Sequence, residues 1–256
     1  MTSIATWNVN SLRVRMPHVL AWLAKNPVDV LAMQETKTVD TDFPRAQLEA
    51  LGYRTIFCGQ KTYNGVAVLS RWDCTDLVTD IPNFDDPPRR VLAVTTNGWR
   101  VINLYVPNGQ AVGSEKYEYK LRWLAALRTW LAEEARTHEK LVVLGDFNIA
   151  PEDRDVHDPA AWVGSVHVSE PERQALRDVI SVGLVDVFRQ FEQPEKTYSW
   201  WDYRMFAFRR NHGLRIDLIL ASAASAARCT SCQVDKEPRK EERPSDHAPV
   251  VATFDI

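Results

Sequence analysis

Eight short apolar runs rich in β-branched residues recur along the chain, at 4–9, 28–33, 66–70, 91–95, 101–106, 141–144, 216–221 and 250–254. Runs of this length read as buried strands, because a helix needs a longer stretch with 3.6-residue spacing. Helical patterns lie between them. From Tyr117, the positions Leu121, Leu124, Leu127 and Leu131 form one stripe, with Ser114 as the N-cap. Ser169-Glu170-Pro171-Glu172 has capping-box spacing ahead of Leu176, Val179 and Ile180. A further helix is expected over 17–25, burying Val19, Leu20 and Leu23. Strands mixed with helices throughout predict one α/β (α+β) domain over residues 1–256. The turn-rich segment 81–90 reads as an exposed loop between strands, and 150–167 as a functional surface loop.

Several of these runs end in residues a buried sheet has no use for. The first runs into Asn8 and Asn10, the second into Gln34 and Glu35, and the fifth into Tyr105 and Asn108. The sixth runs into Asp146 and Asn148, Asp217 lies inside the seventh, and Asp246-His247 precede the last. Residues two apart in an extended segment share a face, so Asp146 pairs with Asn148 and Asn8 with Asn10. Singly, an Asp or Asn at a strand end is an ordinary turn residue. Asp217 is harder to dismiss, because an ionised carboxylate within an apolar run needs a partner or a metal. Six such coincidences predict one shared polar rim.

The available groups narrow its chemistry. Glu35, Asp146, Asp217 and Asp246 offer hard oxygen ligands suited to Mg²⁺, with Mn²⁺ as a substitute. No HExxH, paired CxxC or histidine cluster supports zinc, and no P-loop, GxGxxG or GxSxG is present. Carboxylates, one His, one Tyr and several Asn around a divalent cation suit phosphodiester hydrolysis. Cys58, Cys74, Cys229 and Cys232 make no disulfide framework in 256 residues, so free thiols in a reducing cytoplasm are expected. No run approaches a membrane span, and Met1–Ala5 lacks signal-peptide character.

In order, Thr6-Trp7-Asn8-Val9-Asn10-Ser11-Leu12-Arg13, Gln34-Glu35-Thr36-Lys37, Tyr105-Val106-Pro107-Asn108-Gly109, Gly145-Asp146-Phe147-Asn148, Gly213-Leu214-Arg215-Ile216-Asp217 and Ser245-Asp246-His247 resemble the exonuclease III / AP endonuclease family of the endonuclease–exonuclease–phosphatase superfamily. The resemblance runs from residue 4 to residue 254, and the 115–123 block looks like its bacterial exonuclease III branch. It implies a four-layer α/β sandwich, two packed mixed β-sheets flanked by helices, with the site at one edge. It also implies Glu35 as principal metal ligand beside Asn8 or Asn10, with Asp146, Asn148, Asp246 and His247 completing the metal environment. Asp146 would orient or deprotonate water, and Asn148 would hold the nucleophile and phosphoryl oxygens. His247, oriented by Asp217, would contact the scissile phosphate, and Tyr105 would donate to it. Some members carry Asp where this chain has Asn10, and animal-type members place an arginine where it has Gln110-Ala111-Val112.

The substrate implied is double-stranded DNA, at 3′ termini and abasic sites, cleaved by a monomer in base excision repair. Formal charge is only −3, with 31 Lys and Arg against 34 Asp and Glu, so DNA contact requires a local basic face. Residues 198–217 interleave aromatics with arginines, including Trp200, Arg204, Arg209 and His212, which suits phosphates and stacked bases. By the resemblance, Trp200 and Leu214 wall a pocket for a base-less sugar. His212 beside them would favour a frayed 3′ terminus over an extruded abasic site. Arg13, Lys37, Asn108, Lys116 and Lys120 are candidate phosphate contacts, and Arg239, Lys240 and Arg243 add positive charge. A phosphatase or RNA-directed nuclease is the alternative within the superfamily, and a non-catalytic nucleic-acid-binding module the alternative outside it.

Overall fold

The computed structural model describes residues 1–255. The first half of the chain contains β1 (Thr2–Asn8), α1 (Leu12–Lys25), β2 (Val30–Gln34), α2 (Arg45–Glu49), β3 (Arg54–Cys58), β4 (Val66–Ser70), β5 (Cys74–Val78), β6 (Val91–Thr96) and β7 (Trp99–Tyr105). Then follow α3 (Glu115–Thr137), β8 (Leu141–Asp146), α4 (Glu170–Ile180), β9 (Leu184–Asp186), α5 (Ala207–Arg210), β10 (Asp217–Ser222), α6 (Ala223–Ala226), β11 (Cys229–Val234) and β12 (Val250–Phe254). Two six-stranded mixed sheets result, ordered β11-β12-β1-β2-β4-β3 and β5-β6-β7-β8-β10-β9.

Alternation along each strand builds the layers. Ile4, Val30 and Ala32 of the first sheet meet Leu92, Val101, Val142 and Ile219 of the second in the central core. Ala5, Trp7, Leu31 and Met33 point the other way, onto Leu12, Met16, Val19 and Leu23 of α1. The outer face of the second sheet, with Ile102, Leu104 and Val143, packs on Leu124, Leu127 and Leu131 of α3 and Leu176 of α4. The order is therefore helix, sheet, sheet, helix. Both capping expectations hold: Ser114 accepts from the Tyr117 amide at 3.2 Å, and Ser169 and Glu172 form a reciprocal capping box. Helix α1 begins earlier than the expected 17, because Leu12 and Met16 extend its buried stripe through Pro17.

All four cysteines are free thiols. No described helix is long and apolar enough to cross a membrane.

Candidate active site

Strand register assembles the rim. Tyr105 pairs with Asp146 across β7 and β8, and Asp146 with Asp217 across β8 and β10, so three polar residues stand abreast at one end of the second sheet. Asn8 pairs with Gln34 at the same end of the first sheet, which delivers Glu35 one residue later. Gly145 permits the close approach behind Asp146: a Cβ there would lie 1.9 Å from the Leu104 carbonyl oxygen. Glu35 and Asn148 hold left-handed backbone, both at φ 51°, a strain that clusters at functional sites.

The side chains converge. Asn8 Nδ2 donates to Glu35 Oε1 at 2.8 Å and to Asp146 Oδ2 at 2.9 Å. The Asn148 amide donates to Asp146 Oδ1 at 2.9 Å, and Asn148 Oδ1 accepts from Asn108 Nδ2 at 3.3 Å. His247 Nδ1 lies 2.9 Å from Asp217 Oδ2, and its Nε2 faces Asp146 Oδ2 at 3.7 Å. Ser199 Oγ donates to Asp217 Oδ2 at 2.6 Å and accepts the Ile216 and Asp217 amides, locking that carboxylate toward His247.

Electrostatics sort the roles. Burial raises Asp146 to a pKa of about 7, with Asp217 and Glu35 adding repulsion and His247 opposing it. Burial works against a charged His247, yet Asp217 and then Asp146 outweigh it and raise its pKa to about 10. Burial, followed by Glu35 and Asp146, pushes the Tyr105 phenol well above its ordinary value, so it remains a donor.

Ligand atoms of Glu35, Asp146 and His247 lie within 4.8 Å of one another, the one such cluster among the described residues. The carboxylates repel one another across a buried space and offer hard oxygens without sulfur, which fits a hard divalent cation. Three other expected ligands surround Glu35 and Asp146 in distinct settings. His247 belongs to the cluster, its Nε2 3.7 Å from Asp146 Oδ2 and its Nδ1 held by Asp217. Asn8 turns its amide nitrogen to both carboxylates while its oxygen accepts the Asn10 amide. Asp246 stands outside the cluster, its oxygens taken by Asn10 Nδ2 and Trp200 Nε1. Gln34 is not a rim residue but a buried link between the sheets, donating to Thr6 and Asn103.

Among the candidate DNA contacts, Arg13, Asn108, Lys116, Arg204 and Arg209 are exposed, Arg204 with its guanidinium on Asp202. Trp200 is half-buried beside the centre, and His212 stacks on His157 with ring centroids 4.7 Å apart. Lys37 lies 2.8 Å from Glu35. Lys120 is different: it is fully buried on Glu172 and cannot reach a phosphate. Leu214 is also fully buried, packed with Ala150, Val156 and Ile216 and against Trp200. The basic face is smaller than expected. Arg215 is buried against Asp155 and Asp186, and Arg239 is buried against the rings of Trp201 and Phe208.

His167 was not singled out by its sequence setting in the 150–167 loop. Its Nδ1 meets the Asn148 carbonyl oxygen at 2.6 Å, and its ring lies between Trp162 and Trp200, about 6 Å from each. Burial, reinforced by Lys120, lowers its pKa to about 4. The unfolded chain takes up this proton near pH 6.5, so stability from neutral His167 is complete above that pH and falls as pH drops toward 4. At ~1.4 kcal/mol per unit, up to ~3 kcal/mol is at stake. Urea unfolding of His167→Asn should show a correspondingly shallower loss over this window; identical slopes would refute the assignment.

The family model described as Endonuclease/Exonuclease/phosphatase matches residues 5–247. Exodeoxyribonuclease III of Haemophilus influenzae is 34% identical, over 97% of this chain and 98% of that protein. A Neisseria 3′ phosphatase, solved bound to a product DNA hairpin, superimposes with a TM-score of 0.98 at 49% identity over the whole of both chains. An AP endonuclease from Archaeoglobus fulgidus gives 0.96 at 41% identity, again over both whole chains. Matched along its length and by the rim its strands assemble, the chain belongs to the endonuclease/exonuclease/phosphatase family.

Proposed function

We infer that the protein is a Mg²⁺-dependent DNA-repair phosphodiesterase, a 3′→5′ exodeoxyribonuclease that also incises at abasic sites and clears 3′ phosphates. The observation that carries this is the facing pair at the rim: Asp146 Oδ2 lies 3.7 Å from His247 Nε2, beside Glu35, with Asp217 holding the far side of the imidazole. One group is poised to take a proton from water near neutral pH, while the other stays positive toward a phosphoryl oxygen. Tyr105 adds a neutral donor, and Asn148, in left-handed backbone, sets its side-chain amide beside Asp146, 3.3 Å from Oδ2. A divalent cation at Glu35 and Asp146 would supply Lewis-acid polarisation of the phosphate and offset the crowded carboxylates.

Outside the centre, the substrate is met by exposed Tyr203, Met205 and Phe206, flanked by exposed Arg204, Arg209 and Arg210. That mixture suits both rings and phosphates of double-stranded DNA. Every group in the centre comes from one chain, so a monomeric single-domain nuclease over 1–256 suffices, and its free thiols suit the cytoplasm. The test is purified protein on duplex DNA with a recessed 3′ end, with and without an abasic site, in Mg²⁺ or EDTA. Nucleotide release from the 3′ end and abasic incision are expected in Mg²⁺ alone. Cleavage that persists in EDTA, or none in Mg²⁺ or Mn²⁺, would overturn the reading.

A further inference from the structure

Lys37 lies two residues beyond Glu35, in left-handed backbone at φ 54°. Its ammonium is 2.8 Å from Glu35 Oε2 and 2.5 Å from Asn10 Oδ1. The other Glu35 oxygen accepts from Asn8, and Asn10 Nδ2 donates to Asp246 Oδ1, which turns the Asn10 oxygen toward the lysine. A full positive charge therefore rests on the carboxylate best placed to hold a metal. The pair is only partly shielded, with side chains 26% and 17% exposed, so solvent and ions reach the ammonium from outside. Outward lies a groove of about 980 Å³ that Lys37 shares with Arg13 and Lys61.

We propose that Lys37 is a tethered counter-ion of Glu35, which competes with the divalent cation and, once displaced, engages a DNA phosphate in this groove. Metal and DNA then strengthen one another's binding. The inference rests on the reading of Glu35 as part of a metal centre. Two cations on one carboxylate repel, so a metal weakens the Lys37 contact. A phosphate that draws the ammonium away returns the full Glu35 charge to the metal, and linkage makes the effect reciprocal. Asn10 contributes by being neutral: a carboxylate at that position would hold the ammonium in place, whereas an amide oxygen lets it go.

The test is calorimetric titration of Mg²⁺, at fixed ionic strength and without DNA, into wild type, K37M and K37R, with thermal melts as the check on folding. Removal of the competing charge should tighten Mg²⁺ binding by about five-fold or more in K37M, with K37R close to wild type. In a second arm, Mg²⁺ should strengthen binding of a phosphorothioate-protected duplex by wild type, and much less so by K37M. Lys37→Gln serves the same titration if K37M does not fold. Unchanged or weaker Mg²⁺ binding in the neutral variants overturns the proposal, as does an equal gain in K37R, which would point to shape rather than charge. If wild type and variants all bind neither Mg²⁺ nor Mn²⁺, the metal-centre reading itself falls.

Discussion

Replacing Asp146 with Asn is expected to lower the rate of DNA hydrolysis by about 10²–10⁴-fold, the range lost when a positioned general base is removed. Fold and DNA affinity should stay near wild type. Burial brings the pKa of this carboxylate to about 7, where it can exchange a proton with water. An amide of the same shape cannot accept that proton. It still occupies the space between Asn8 and Asn148, although one donor now faces another, a cost of about 1 kcal/mol. Relief of carboxylate burial and of repulsion from Asp217 and Glu35 offsets this, against the lost attraction to His247. Single-turnover cleavage and fluorescence anisotropy on the same duplex separate the two effects. A variant that cleaves within ten-fold of wild type would remove Asp146 from the base role.

What could be read from the sequence follows burial. Each of the eight apolar runs becomes a strand flanked on both sides in its sheet. The four strands without such a run, β3, β5, β9 and β11, are the four sheet edges. An edge strand needs no continuous apolar run: Cys74–Val78 of β5 carries Thr75, Asp76 and Leu77 exposed. The rim was legible for the complementary reason, because Asp146 and Asp217 are polar where sheet packing wants apolar residues. What stayed hidden is the second layer of partners. Ser199 shows no sign in sequence of holding Asp217, and Gln34 beside Glu35 resembles a rim residue until its partner Asn103 is seen in the other sheet. Positive charge misled most. Lys120, Arg215 and Arg239 look like DNA contacts from composition, yet each is withdrawn into the protein by a partner distant in sequence.

Lys120 gives the sharpest contrast between those readings. A lysine on the phosphate backbone would, when removed, reduce the slope of DNA affinity against salt by about one unit and leave stability untouched. The buried geometry requires the opposite. Lys120 Nζ donates to Glu172 Oε1 at 2.5 Å, to the Asn148 carbonyl at 2.7 Å and to the Asn108 carbonyl at 3.2 Å. Glu172 in turn accepts the His167 and Ser169 amides, so the ion pair ties α3 and α4 to the turn that carries Asn148. Lys120→Met leaves Glu172 as an unpaired buried charge, which costs about 3–5 kcal/mol. It also releases the Asn148 carbonyl, loosening a residue whose left-handed turn is already strained. The expected result is a large fall in the urea midpoint, slower cleavage, and an unchanged salt slope for DNA binding. Changing Glu172 to Gln in the same chain should recover part of the lost stability, because a neutral amide tolerates burial better than a lone carboxylate. A stable Lys120→Met protein with a shallower salt slope would return the residue to the DNA surface.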